Sequence, residues 1–449
     1  MNLKLYLWLC AGAFAEMALG QNAAPAPKPA TSSAPLTLTL QDALARAQTN
    51  VPQLLAAVSD ANAAHEDVLQ ARAGTRPSLS GKSEYLLTQG NGVFPSGRFV
   101  TNDGVHVYRD WAVVHQDFTA AVTRTGIKRA QEAEILAKAR TEITRRGLAA
   151  TVTRAYYALL TAQRKYATTQ QALDEAKRYF DISQNLERGG EVAKSDAVKA
   201  DLQVAAQDQA FRESKLAMEN ARLDLAVMLF PDFDQNFNLV DDLALTPALP
   251  ALPEIQTMAE RENPDLKAAN SALRGAGLDV TLARQAYLPS LTADFAYGIE
   301  ANAFALNSTV AADPQKGPVP NLGFFLTVSL NVPVWDWGTR ASKVRQAVLR
   351  RNQANVELSA TQRALIRNLQ GFYAEAQTAR EQVDSLQHTV ELASESLRLN
   401  VLRYQAGEAT ILELVDAQST LIQARNAYVD GLSRYRLAVA NLQTLTGTF

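Results

Sequence analysis

The chain contains one unit twice. Residues 52–79 return without a gap as residues 264–291, at a constant offset of 212. Pro52, Leu54, Ser59, Asp67, Arg72 and the triplet Pro77-Ser78-Leu79 recur as Pro264, Leu266, Ser271, Asp279, Arg284 and Pro289-Ser290-Leu291. Gly126 and Gly338 keep the same offset. Further on the offset becomes 217, and it relates Tyr156 to Tyr373, Gly190 to Gly407, Glu191 to Glu408, Ala200 to Ala417 and Leu225 to Leu442. A period of this length is far beyond the roughly 20–50 residues of a solenoid repeat. The chain is therefore read as a duplicated domain, with one copy over 36–230 and the other over 254–449. Residues 231–253 join them, rich in Pro and carrying Asp232, Asp234, Asp241 and Asp242. This connector is expected to pack outside the helices.

The order of elements is the same in both copies. A helix is predicted over about 41–73 and again over about 254–286, stopped by Pro77 and Pro289, since proline cannot continue a helix. A strand follows, at about 78–88 and 290–300. In the second copy Leu291, Ala293, Phe295, Tyr297 and Ile299 alternate with mostly small or polar residues, the period-2 pattern of a half-buried strand. A Gly/Asn/Pro-rich loop then leads to a second strand, about 107–121 and 322–334. Beyond it lies a very long helical pattern. Leu365, Phe372, Ala379, Leu386 and Ala393 run at seven-residue spacing beside Leu369, Ala376, Val383, Val390, Leu397 and Tyr404. Such a seam implies left-handed supercoiling. A second row of smaller residues, Ala364, Gly371, Thr378 and Ser385 leading to Leu392 and Leu399, predicts neighbours on two sides. A helix over 339–405 would span ~100 Å at ~1.5 Å per residue. Each long helix ends at a glycine, Gly190 or Gly407, which suits the left-handed backbone that closes a helix. Two hairpin tips are thus predicted, at about 188–192 and 405–409, each followed by a returning helix.

The start of the chain reads as a targeting segment. Lys4 precedes an apolar run, and Ala18-Leu19-Gly20 offers small residues for cleavage, so residues 1–20 read as a secretory signal peptide. Residues 21–35 read as a flexible Ala/Pro-rich leader. Cys10, the single cysteine, lies within the apolar run, where either a lipid anchor or no role is open. With a net charge of -2, no basic field argues for nucleic acid. The four histidines are scattered, so neither a metal site nor a cofactor site is expected. No catalytic motif or phosphate loop is present, and no enzyme is expected.

No later stretch approaches the ~20 apolar residues of a membrane-spanning helix. If the chain crosses a membrane it does so with strands. Alternating strands of about ten residues fit an outer-membrane barrel, yet four cannot close one alone. Two readings follow. One is an oligomeric barrel, with three copies giving twelve strands. The other is a soluble periplasmic coiled-coil scaffold.

Several motifs, each weak alone, coincide at matching places in the duplicated frame. They are Asn263-Pro264-Asp265-Leu266, the Pro-Ser-Leu before each strand, Val-Pro-Val-Trp-Asp-Trp-Gly over 332–338, and Tyr-Gln-Ala-Gly-Glu-Ala-Thr-Ile-Leu-Glu-Leu-Val-Asp-Ala-Gln over 404–418. Through them the chain resembles the TolC-like outer-membrane efflux proteins over essentially all of its mature length. The first copy departs from the pattern in having Val51 before Pro52.

The resemblance implies a mainly α protein with membrane β. A homotrimer would form a twelve-stranded barrel in the outer membrane, continued by a twelve-helix α-barrel across the periplasm. It implies passive conduction, in tripartite efflux or type I secretion. The partners implied are a periplasmic adaptor and, through it, an inner-membrane pump. It assigns Glu413 and Asp416 to the periplasmic constriction, where three-fold symmetry would make two rings of acids, the device by which channels favour cations. It makes Asp196 and Tyr404 partners in a network closing the entrance. The basic third member of that network is replaced here by Ala409, for which Arg188 or Arg403 is the candidate substitute. It places adaptor docking at Gly189, Gly190 and Glu191 and at Ala406, Gly407 and Glu408. Trp111, Trp335 and Trp337 are candidates either for an interfacial aromatic belt or for filling the junction between barrel and helices.

Overall fold

The computed structural model describes residues 36–87, 106–232, 236–301, 304–313 and 317–447. The expected signal peptide, leader and Cys10 lie outside the described residues, as do most of the first-copy loop and residue 88.

In the first copy, β1 (Leu36–Leu38) leads into helices α1 (Leu40–Asn50) and α2 (Pro52–Ala73). The hairpin β2 (Ser78–Leu87) and β3 (His106–Asp117) follows. Then come the 70-residue α3 (Ala120–Gly189) and the 36-residue α4 (Lys194–Leu229). The second copy repeats this order. Strand β4 (Phe237–Leu239), α5 (Leu252–Glu262) and α6 (Pro264–Gln285) are followed by β5 (Ser290–Ala301) and the added hairpin β6 (Asn307–Asp313) and β7 (Gly317–Pro320). Strand β8 (Leu322–Asn331), the 67-residue α7 (Thr339–Gln405) and α8 (Ile411–Thr446) complete it.

Several boundaries differ from the sequence reading, for local reasons. The single short helix of each copy is two helices. Pro52 and Pro264 each sit at the first position of a new helix, where a missing N–H costs nothing. The preceding Val51 and Asn263 take extended backbone, as the proline ring requires. Strand β3 stops at Asp117, short of the expected 121, because Asp117 Oδ1 accepts from the Thr119 N–H at 2.7 Å and turns the chain into α3. Strand β8 stops at Asn331, short of 334, before Pro333. The second-copy loop holds the β6–β7 hairpin, which the expected loop over 301–320 did not contain.

The connector reaches into the core. Phe237 and Leu243 are buried with Leu38, Tyr156 and Leu229, and β4 pairs in parallel with β1. The Tyr156 hydroxyl donates to the Val240 carbonyl at 2.7 Å, and Tyr435 donates to that of Pro247. Arg436 pairs with Asp242, and Arg164 holds Asp241 through two bonds of 2.8 and 2.9 Å. The connector thus packs on the helices through buried Phe237 and Leu243. Two acids of the acidic stretch, Asp241 and Asp242, are anchored to helices.

The four long strands form one antiparallel sheet in the order β2-β3-β5-β8, so the two hairpins lie side by side and β2 and β8 are its edges. Register assigns every side chain to a face. Leu79 and Tyr85 share one face with Val114, Leu291, Phe295, Tyr297, Phe324, Leu326, Val328 and Leu330. The other carries Lys82, Glu84, Arg109, His115, Asp294, Glu300, Thr327 and Ser329. The polar face is concave: Ala296 is fully buried there, while its neighbours Phe295 and Tyr297 on the apolar face are 41% and 49% exposed. Gly298 allows close approach, since a Cβ there would lie 2.0 Å from the Asp110 carbonyl oxygen. Arg109 pairs with Glu300 at 2.9 Å and His115 with Asp294 at 2.7 Å across the concave surface. A sheet with an apolar convex face and charged concave face is an arc of a barrel wall.

The long helices continue from the same end of that arc. Packing runs α2-α3-α6-α7 next to the sheet, and α4-α3-α8-α7 nearer the tips. Helix α3 is therefore covered on both sides and α7 on one. Among the described residues no helix is long and apolar enough to cross a membrane.

Candidate functional site

Both tips close by the same backbone device. Gly190 (φ 76°) and Gly407 (φ 74°) stand in the left-handed region. The Gly190 N–H donates to the Glu187 carbonyl at 2.9 Å and that of Glu191 to Leu186 at 2.9 Å. At the second tip Gly407 donates to Tyr404 at 3.1 Å and Glu408 to Arg403 at 2.8 Å. These pairs satisfy the last carbonyls of each outgoing helix. Gly189, Gly190, Glu191, Ala406, Gly407 and Glu408 are all exposed, so both turns present their backbone and two acids to solvent.

Beneath the tips an apolar cluster ties the two hairpins together. It contains Ala200, Leu397, Tyr404, Ile411, Leu414 and Leu421, with Phe180, Leu186 and Ala409 packed at its edge. Ala409, standing where the resemblance leads one to expect a basic residue, thus contributes a methyl group to packing. Higher up, the buried Gln418 donates to the Ala172 carbonyl at 2.9 Å, joining α8 to α3. Arg425 Nη1 donates to Gln171 Oε1 at 3.1 Å, and Lys165 pairs with Asp430 at 2.7 Å.

Of the two candidate arginines, Arg403 reaches across the tip. Its Nη1 lies 3.3 Å from Glu413 Oε2, and its Nη2 donates to the Glu408 carbonyl at 3.2 Å. Arg188 stays on its own helix and donates to Gln184 Oε1 at 2.6 Å. Glu413 has a further task. Thr410 caps α8 by accepting from the Glu413 N–H, while the Glu413 carboxylate accepts from the Thr410 N–H at 3.3 Å. This reciprocal pair is a capping box. Its signal, Thr410-x-x-Glu413, was present in the sequence and went unused there. Asp416, one turn on, is exposed on the same side as Glu413, opposite the buried Leu414 and Gln418.

Asp196 and Tyr404 come near each other without a direct hydrogen bond. Burial pushes the Tyr404 phenol above its usual range, the neighbouring Ser183 hydroxyl opposes this, and the Asp196 charge adds to it. Both hydroxyls are buried, with no well-formed hydrogen bond among the described residues. Asp196 has Lys199 Nζ at 3.6 Å on its own helix.

The three tryptophans separate. Trp111 lies on the polar concave face, edge-on to Phe325 with ring centroids 4.9 Å apart. It therefore shares a face with Arg109 and Asp294 and not with Phe295 and Tyr297. Trp335 and Trp337 sit between β8 and α7, highly exposed and edge-to-face with each other at 5.8 Å. Asp336 between them accepts from the Gly338 and Arg340 N–H groups at 3.2 and 2.8 Å, which starts α7. Among the described residues no cluster of three or more metal-ligating side chains occurs.

The arrangement has relatives. A family model described as outer membrane efflux protein matches residues 256–448. The outer membrane protein TolC of Vibrio cholerae serotype O1 is 23% identical over 426 residues, covering 93% of this chain and 92% of that protein. Among solved structures, the Vibrio cholerae outer membrane protein VceC superposes with a TM-score of 0.78 at 17% identity, over 91% of this chain and 96% of that one. The Campylobacter jejuni CmeC outer membrane channel does so with a TM-score of 0.76 at 18% identity, over 91% and 85%. At these identities the solved structures speak to the fold.

Proposed function

The chain belongs to the TolC-like outer membrane efflux proteins, and on that premise we propose that three copies form a passive duct from a periplasmic adaptor to the cell exterior. The observation that carries this reading is the curved sheet, apolar outside and charged inside, continuous with two helical hairpins ~100 Å long by the helical rise. Four strands per chain and three chains make twelve. In the sheet order β2-β3-β5-β8 the two edge strands run antiparallel to each other, so β8 of one copy meets β2 of the next with the polarity a closed barrel needs. Strands of 10–12 residues suit an outer-membrane wall.

The polar concave face then lines the lumen, and the apolar convex face meets lipid. The α-barrel carries the lumen through the periplasm, and the exposed tips receive the adaptor. Energy comes from the inner-membrane pump, because the duct needs no chemistry of its own. Glu413 and Asp416 form the acid rings of the constriction. Arg403 holds Glu413 in the resting state, in place of the basic residue that Ala409 replaces. Trp335 and Trp337 sit where the barrel meets the helices and anchor that level at the periplasmic face of the outer membrane. The cargo class fits either tripartite efflux or type I secretion.

Fractionation of cell envelopes tests the reading. The protein should sediment with the outer membrane and run on unheated denaturing gels as a trimer that heat converts to monomer. Recovery as a soluble monomer from the periplasm favours the scaffold and overturns the duct.

A further inference from the structure

The two copies differ in what covers equivalent positions of their long helices. On α3, Arg146 is 9% exposed and Ala149 6%, and Ala139 is likewise buried. Arg146 Nη1 donates to the Thr444 carbonyl at 3.0 Å and Nη2 to the Glu262 carbonyl at 3.1 Å. Those residues lie in the last turns of α8 and α5, so one guanidinium satisfies the carbonyl ends of two second-copy helices. Glu142 Oε1 balances its charge at 2.7 Å. At the offset of 217, Ala139, Arg146 and Ala149 become Val356, Arg363 and Ile366 on α7. There the face is bare: Val356 is 63% and Ile366 49% exposed. Arg363 is exposed too. It reaches only the Ser359 carbonyl of its own helix, at 3.3 Å, and has no ion-pair partner among the described residues.

The complementary surface exists at the opposite edge of the chain. The counterparts of Thr444 and Leu445 are Val227 and Met228, and the counterpart of Glu262 is Asn50. Val227 and Met228 stand at the end of α4, where Pro231 has no N–H to return to the Val227 carbonyl. Neither carbonyl has a partner outside its own helix among the described residues, whereas the Leu229 carbonyl is taken by Asn50 Nδ2 at 2.6 Å. On α2, Leu55 and Val58 are exposed, whereas their counterparts Lys267 and Asn270 on α6 line one cavity with Ala139. The position of Gly447 is filled by Phe230, whose extended backbone (φ −129°) carries the chain away toward β4.

We propose that Arg363 reaches into a second copy of this chain, donating to the carbonyls that end its α4 and α1, while Val356 packs on its Leu55 and Val58. The contact repeats between chains what Arg146 does within one. In a closing ring each copy gives one such arginine and receives one. This inference rests on the trimer reading and names the residues that seal it above the tips.

The test uses the full-length protein in detergent-extracted outer membranes. Arg363→Ala should lower the temperature at which the trimer dissociates by about 1–3 °C, the scale that thermal shifts take in a chain of this size. Arg363→Lys, a point charge without the planar fork, should fall between. The mature chain as read above has no cysteine. The pair Val58→Cys with Val356→Cys should therefore give dimer and trimer ladders with a short bismaleimide, because α3 and α6 separate the two helices within one chain. A stable trimer that neither loses heat resistance in Arg363→Ala nor cross-links through this pair overturns the inference and leaves the trimer standing. Absence of any trimer in the unaltered protein overturns both.

Discussion

Arg403 and Glu413 face each other across the second tip, Nη1 to Oε2 at 3.3 Å, one on the last turn of the outgoing helix and the other on the first turn of the returning one. The pair fastens the turn that is proposed to receive an adaptor. It also neutralises one of the two acids assigned to the constriction. Both side chains are about half exposed, so the bond is of the kind worth about 0.2–1 kcal/mol. It is weak enough for a docking partner to displace.

Arg403→Ala should therefore loosen the closed entrance without unfolding the chain. Closed-channel conductance in planar bilayers is expected to rise about two- to five-fold, the range that an exposed pair of about 0.4–1 kcal/mol permits. Conductance equal to that of the unaltered protein would remove Arg403 from the closing network.

Asp416 separates charge from structure better than Glu413 does. Glu413 also closes the capping box with Thr410, so Glu413→Gln changes the helix end as well as the charge. Among the described residues Asp416 makes no such capping bond. Asp416→Asn should lower cation selectivity and weaken block by multivalent cations, leaving thermal stability unchanged. Full selectivity after neutralising both acids would show that they do not line the constriction.

Arg146 is a structural hub. Arg146→Ala leaves the carbonyls of Thr444 and Glu262 without their side-chain donor, while the Glu142 carboxylate loses one of two arginines and keeps Arg145. The expected loss is about 2–4 kcal/mol in thermal or denaturant unfolding. The pH dependence follows. Hydrogen bonding from Arg145 holds Glu142 below the ordinary carboxylate value of 4.5, burial opposes this, and Arg146 adds to the lowering. A carboxyl depressed in the native state contributes stability that is present above its unfolded pKa and lost as the pH falls through the native one. The melting temperature should therefore drop below about pH 4.5, and the Arg146→Ala variant should show a shallower acid limb.

Trp337 is the one non-glycine residue with positive φ among the described residues, at 56°. Left-handed backbone costs such a residue roughly 1–2 kcal/mol, and the ring, 89% exposed, recovers little of that within one chain. Trp337→Gly should leave unfolding of the protomer unchanged or slightly harder, yet reduce assembly into heat-resistant trimers in the outer membrane. Undiminished assembly would show that the strained tryptophan has no role at the membrane boundary.

Much of this architecture was legible in the residues. The heptad rows gave long helices because 3.5-residue spacing fits only supercoiled partners, and Gly190 and Gly407 marked turns that few other residues make. The second, small-residue seam on α7 is exposed in the single chain, so the neighbour expected for it belongs to the proposed trimer. What escaped was set by tertiary contact or by overlooked local chemistry. Pro52 and Pro264 were signals of helix starts, read only as part of a repeat. The pairing of β1 with β4 joins three-residue strands some 200 residues apart, too short for any periodicity to show. Trp111 belongs to the concave face because of register with Gly298, which no single strand reveals. Arg146 looked like one more charge on a long helix until the ends of two others met it.

The central claim is that three of these chains close one continuous duct. The most direct measurement is the particle extracted from outer membranes in mild detergent, weighed by native mass spectrometry and imaged by electron microscopy. The account predicts a mass three times that of the mature chain and a hollow three-fold particle with a tapered end well over 100 Å from its membrane band. A monomer, or a trimer without a through-going lumen, would contradict it.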